Sequence, residues 1–190
     1  MKKFLWSLCG VGAFVVGAQF AYTATTGSQQ YTVSVGKNVN IVAPTEPMLK
    51  TYTVADLEAA EAVTDDTYAF TAQTWAVKGN VKDGVTVDFG MAPFLNMDYP
   101  TDNITQDGRL AVSKVTQNGP ATWTLESASG SADTDAANVD PAARNAAVQF
   151  SSDGVGQATF DVTVTFLASD INAVVEGEYV TTVSGTITEN

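Results

Sequence analysis

The sequence predicts an all-β protein: an antiparallel β-sandwich, jelly-roll or Ig-like, of about eight or nine strands with one or two short helices. Three observations carry that reading. The 190 residues include 25 Thr and 24 Val, about a quarter of the chain, and branching at Cβ stiffens both toward pleated backbone. Apolar residues recur at every second position in several short runs. Turn-forming residues separate those runs, as a many-stranded antiparallel fold requires.

Taken in order, the chain opens with an address. Lys2 and Lys3 form a short positive region, and Phe4 to Ala18 then runs without a charge. That is the length of a secretory leader and short of the roughly 20 residues a membrane span needs. Val16-Gly17-Ala18 supplies small residues for a peptidase, so cleavage after Ala18 is expected. The alternative is an uncleaved anchor, because Phe20, Ala21 and Tyr22 extend the apolar stretch. Cleavage would remove Cys9, the one cysteine, leaving an exported protein held by packing without disulfides, as suits a bacterial secretory route. Residues 19–30 read as an uncharged extended segment, and residues 31–190 as one sandwich domain.

Within that domain Tyr31, Val33 and Val35 alternate with Thr32 and Ser34, and Asn38 to Val42 follows as a second run. Thr53 to Asp56 has the form of a capping box opening a helix over Leu57 to Ala62. Tyr68 and Phe70 begin a stretch that carries on through Trp75 and Val77. Lys82-Asp83-Gly84 leads into Val85, Val87 and Phe89, which reads as a hairpin. Leu110 and Val112 precede the turn Asn118-Gly119-Pro120, after which Ala121, Trp123 and Leu125 share a face. Asp140-Pro141 is an N-cap followed by proline, opening a turn or two over Ala142 to Ala147, with Ala146 to Phe150 extended. Gly154-Val155-Gly156 turns into the clearest strand, where Ala158, Phe160, Val162, Val164 and Phe166 alternate with Thr159, Asp161, Thr163 and Thr165. Tyr179 to Thr188 is the last.

The charge narrows function. A formal net charge of −12 and a pI near 4.1 argue against nucleic acid or an anionic membrane as main partner. There is no histidine, so the commonest general base and metal imidazole are missing. Neither a nucleophile elbow nor a phosphate-binding glycine loop is present, and the 21 acids offer many carboxylate pairs without a spacing that singles one out. The sequence therefore predicts no enzyme.

Three candidate constellations stand out. Asp133, Asp135, Asn138 and Asp140 could converge on calcium through oxygen ligands, although the glycine and terminal glutamate of an EF-hand loop are lacking; the other reading is a solvated loop in which Asp140 caps a helix. A second acidic stretch runs from Asp98 to Asp107 with Asp102 and Asn103. Trp75, Trp123, Tyr99 and Phe94 could stack on a sugar, Tyr99 and Trp75 being the binding candidates, while Trp123 lies in phase with a core face. Phe20 and Tyr22 in the extended segment, with Tyr179 and Val183 in the last strand, are candidates for assembly by strand addition to a neighbour's sheet.

Glu176-Gly-Glu-Tyr-Val-Thr-Thr-Val-Ser-Gly-Thr-Ile-Thr188 resembles the closing strand of spore coat U-type and pilin-like secreted β-sandwich proteins. Tyr31 to Val35 and Asp88-Phe89-Gly90 look like that group's opening strands. Ala121-Thr-Trp-Thr-Leu125 is similar to the Trp-x-Leu motif of certain cell-wall-associated domains. The resemblance implies a surface or fibre subunit without catalytic residues. The expectation is a secreted or surface-attached bacterial subunit, structural or adhesive. It would self-associate or join other surface proteins and keep no transmembrane segment after leader cleavage. The alternative is a carbohydrate- or calcium-binding module with glycan partners.

Overall fold

A computed structural model describes residues 29–53, 66–168 and 170–190. Contacts divide the chain into two compact units, Met1–Val35 and Gly36–Asn190. The leader, Phe20, Tyr22 and the helix expected over Leu57 to Ala62 lie outside the described residues.

Gly36–Asn190 is all-β and built from antiparallel sheets. In chain order the strands are β1 (Val39–Val42), β2 (Asp66–Ala69), β3 (Gln73–Gly79), β4 (Val85–Met91), β5 (Phe94–Asn96), β6 (Thr105–Gln106) and β7 (Gly108–Asn118). There follow β8 (Trp123–Leu125), β9 (Ser131–Asp133), β10 (Ala146–Ser152), β11 (Gly156–Ala168), β12 (Tyr179–Val180) and β13 (Val183–Glu189). One sheet has the order β1-β3-β11-β7-β9, with β2 also on β11; a second runs β13-β4-β10-β8; a small third is β12-β5-β6. The described residues thus hold 13 strands, more than the eight or nine expected. The surplus comes from pieces of two or three residues, too short to show a period, and from a break at residues 70–72 between β2 and β3.

The two larger sheets close as a sandwich on one apolar layer. Trp75 and Val77 from β3, Leu110 and Val112 from β7, and Ala158, Phe160 and Val162 from β11 meet Val85, Val87, Phe89 and Met91 from β4 and Val148 and Phe150 from β10. Strict alternation makes this possible, since every second residue of β4 is buried. Phe160 sits at the centre, its ring centroid 4.8 Å from Phe150, 5.5 Å from Phe89 and 5.7 Å from Trp123. A smaller cluster of Phe94, Phe166, Ala168 and Ile171 lies beneath the third sheet.

β11 is the organising strand. One edge pairs with β7, and the other pairs first with β3 over Gly156 to Val162 and then with β2 over Thr165 to Ala168. Thr159 faces Thr116 while Phe160 faces Lys114, so Val115 is bulged out of the ladder.

The hairpin expected at Lys82-Asp83-Gly84 is instead an arch. β3 belongs to the first sheet and β4 to the second. Trp75 and Phe89 meet edge-on across the core at 5.5 Å, so the two strands present their buried faces to each other and cannot lie side by side in one sheet. Gly79 makes room for the crossing, because a Cβ there would stand 2.8 Å from Val85 Cγ1. Gly84 takes the positive φ of 87° that the turn needs.

A buried hydroxyl fastens the start of β4 to the end of β10. Ser152 Oγ accepts from the Val85 N–H at 2.9 Å inside the sandwich. Ser152→Ala is expected to lower stability by about 1–3 kcal/mol, because it leaves that N–H buried and unpaired. Urea unfolding of the variant checks this; an unchanged midpoint would mean that water reaches the Val85 amide.

Two other expectations are modified. Tyr31, Val33 and Val35 form no strand and are 83, 87 and 81% exposed; alternation alone does not make a strand without a partner edge. Asp140 does cap a helix, accepting from the Ala142 N–H at 2.9 Å, but it is a single 3-10 turn over Pro141–Arg144. The chain is extended again by Ala146, where pairing with β4 begins.

Candidate functional site

The acidic loop is built around separate partners. Asp133 on β9 stands opposite Arg109 on β7, and the guanidinium grips the carboxylate at both oxygens, Nε to Oδ1 at 2.6 Å and Nη2 to Oδ2 at 2.8 Å. Asp135 Oδ2 accepts from Asn138 Nδ2 at 3.2 Å, Asn138 Oδ1 accepts from the Asp140 N–H, and Asp140 is committed to its helix turn. Asp107 Oδ1 holds the loop from below, accepting from Thr134 Oγ1 at 2.8 Å and the Ala136 N–H at 2.7 Å. Of the four residues expected to share a calcium ion, Asp133 turns to Arg109, while Asp135, Asn138 and Asp140 are linked by hydrogen bonds among themselves. Among the described residues no group of three or more Asp, Glu, Cys or His could hold a metal ion.

The Arg109 hydrogen bonds hold the Asp133 carboxyl below its ordinary range, with the Arg109 charge adding to them and desolvation opposing. A carboxylate whose pKa is lowered on folding stabilises the fold above its unfolded value, and that contribution is lost as pH falls through the lowered folded value. Both side chains are about half exposed, so the pair is worth less than about 1 kcal/mol. Arg109→Ala should return the Asp133 carboxyl toward its ordinary range, read by NMR titration. A titration unmoved by the substitution would show that Arg109 does not grip it in solution.

The aromatic candidates separate. Trp75, Trp123 and Phe94 are buried, the first two in the main core and Phe94 against Phe166 at 5.1 Å. Trp75 therefore presents no stacking face, contrary to its selection as a binding residue, because it lies in phase with Val77 on the inner side of β3. Tyr99 stands in the loop after β5, partly exposed, its hydroxyl 3.4 Å from Glu176 Oε1.

Of the assembly candidates in the described region, Tyr179 is an internal support. Its residue pairs with Asn96, its hydroxyl donates to the Val175 carbonyl at 3.0 Å and its ring packs on Phe166. Val183 starts β13, opposite Met91 and packed on the main core. β13 forms the rim of the second sheet: it pairs with β4 along Val183 to Glu189, and no described strand pairs its other edge. From Val183 to Thr188 this edge carries no charged residue and no proline. Strand edges in monomeric proteins are commonly blunted by such residues. Beside it, Thr188, Thr86, Ser151 and Thr124 form a row of hydroxyl residues across the outer face of the sheet.

Sequence reading missed two features here. Asn96 is fully buried, bonding the Glu176 carbonyl and the Asp98 N–H, with Gly177 at φ 138° leaving room for its amide; an asparagine in a three-residue strand gives no local signal of burial. The larger described depression, about 480 Å³, lies by the β3–β4 arch. Two of its polar side chains are spent inside the fold: Asn80 Nδ2 donates to the Gly36 carbonyl, and Asp153 Oδ1 accepts from the Thr122 N–H. No protein-family model, no curated protein and no solved structure matches this chain.

Proposed function

We propose that the protein is an exported, non-enzymatic structural or adhesive subunit of a bacterial surface or fibre, assembling through strand edges. The observation that supports this most is the outer edge of β13 from Val183 to Thr188, which carries no charge, pairs with no described strand and offers a row of main-chain donors and acceptors to an added strand. The leader-like start of the chain fits export, and the serine- and threonine-rich outer faces fit a hydrated surface. The acidic residues of the 133–140 loop serve the fold's own Arg109, the Asn138 amide and a helix turn, which suits a building block better than a reaction centre.

The test is assembly against concentration, followed by light scattering and electron microscopy. Wild-type protein should form oligomers or fibres. Ser184→Lys with Thr186→Lys, two exposed positions on β13, should weaken them by placing charge along the edge. Assembly indifferent to the double substitution would refute the role of this edge.

A further inference from the structure

The structure leaves two strand-like elements unsatisfied. No described strand pairs the outer edge of β13, although Ile41 of β1 lies over Gly185 and Lys37 bonds Glu189 at the strand's end. Its inward residues Val183 and Ile187 are only partly buried although they pack on the core. Tyr31 to Val35 has strand alternation, with three large apolar side chains more than four-fifths exposed on one side and Thr32 and Ser34 on the other, yet it forms no strand.

We propose that Tyr31–Val35 of one copy adds as a strand to the outer edge of β13 of a second copy, extending the order β13-β4-β10-β8 by one. This rests on the edge-assembly reading and names its donor. The patterns fit in an antiparallel register with Val33 opposite Gly185. Tyr31 then lies beside Ile187 and Val35 beside Val183 on the core side, while Thr32 meets Thr186 and Ser34 meets Ser184 on the hydrated side. Threonine and serine pairs across strands are favourable neighbours. Lengths agree as well: five extended residues span about 17 Å, within the roughly 23 Å of a seven-residue edge. Neither partner carries a charge at any of these five pairs, so no repulsion opposes contact between two copies of an acidic chain at this seam. Each copy has one donor and one acceptor, so the contact is head-to-tail and generates open chains rather than closed dimers.

The experiment mixes two variants of the protein as isolated from cells. Val33→Pro removes an amide and the strand conformation of the donor while touching an exposed position, and Ser184→Lys with Thr186→Lys blocks the acceptor. The expected result is that each variant alone stays monomeric, while an equal mixture gives a heterodimer that grows no further, since one donor and one acceptor remain. Hydrogen exchange should show the Tyr31 and Val35 amides protected in wild-type assemblies and not in Val33→Pro, because Val183 and Ile187 turn their main-chain groups to the outer edge. The circular dichroism of Val33→Pro should match wild type. If Val33→Pro still assembles while the lysine variant does not, another strand, such as a second β13, occupies the edge; the donor assignment is then overturned and edge assembly survives. If both variants assemble like wild type, or wild type stays monomeric, edge assembly falls and the donor falls with it.

Discussion

Phe160→Ala is expected to lower the stability of the sandwich by about 3–5 kcal/mol, the range for emptying a buried aromatic site. Phe160 is fully buried and touches rings from three other strands, Phe89 on β4, Phe150 on β10 and Trp123 on β8. It projects from β11, the strand to which β2, β3 and β7 are all paired. The cavity would therefore open between layers, where neither sheet can sag inward without breaking its own ladder. Urea unfolding measures the effect as a lower midpoint at unchanged slope. A loss below about 1 kcal/mol would show that the two sheets do not close on this ring.

Gly84→Ala should cost about 2–4 kcal/mol, a large effect for one methyl group on a turn. Two costs add. The residue has φ 87°, where an L-residue pays about 1 kcal/mol or more. Its Cβ would also stand 1.9 Å from the Ser152 carbonyl oxygen and 2.9 Å from the Gly154 nitrogen. These are backbone atoms, so relief requires moving the end of β10 and with it the Ser152–Val85 hydrogen bond. Gly36→Ala is the control, since nothing lies within 4 Å of its added carbon, and it should stay within about 0.5 kcal/mol of wild type. Thermal unfolding of the pair checks the contrast, and equal melting temperatures would contradict the arch geometry.

The fold class was legible because it rests on a local signal. Five apolar residues at period 2 marked β11 and its buried face, and Asp140-Pro141 marked a capped turn, since both depend on neighbours in sequence. What a turn does next was not legible. Lys82-Asp83-Gly84 marks a reversal, but the same residues serve a hairpin within one sheet or an arch between two, and only the distant pairings of β3 with β11 and of β4 with β10 decide. The same limit applied to the candidate site. Asp133 was visible as an acid, whereas its commitment to Arg109, 24 positions away, depends on β7 and β9 being neighbours. Trp75 was chosen as an aromatic residue, although its phase with Val77 already placed it inside. That β13 is an edge follows from strand order, which no window of sequence contains.

The layer change at Gly84 has a kinetic consequence. Because β3 and β4 do not pair with each other, Val77 has only Ile41 on one side until Ala158 arrives on the other, and Val87 must wait for Phe150 and Ile187. A chain emerging from the ribosome could form neither large sheet until its last quarter was made. Such non-local closure places folding toward the slow end for a domain of this size, and fragments ending before β10 should remain unstructured and open to proteases.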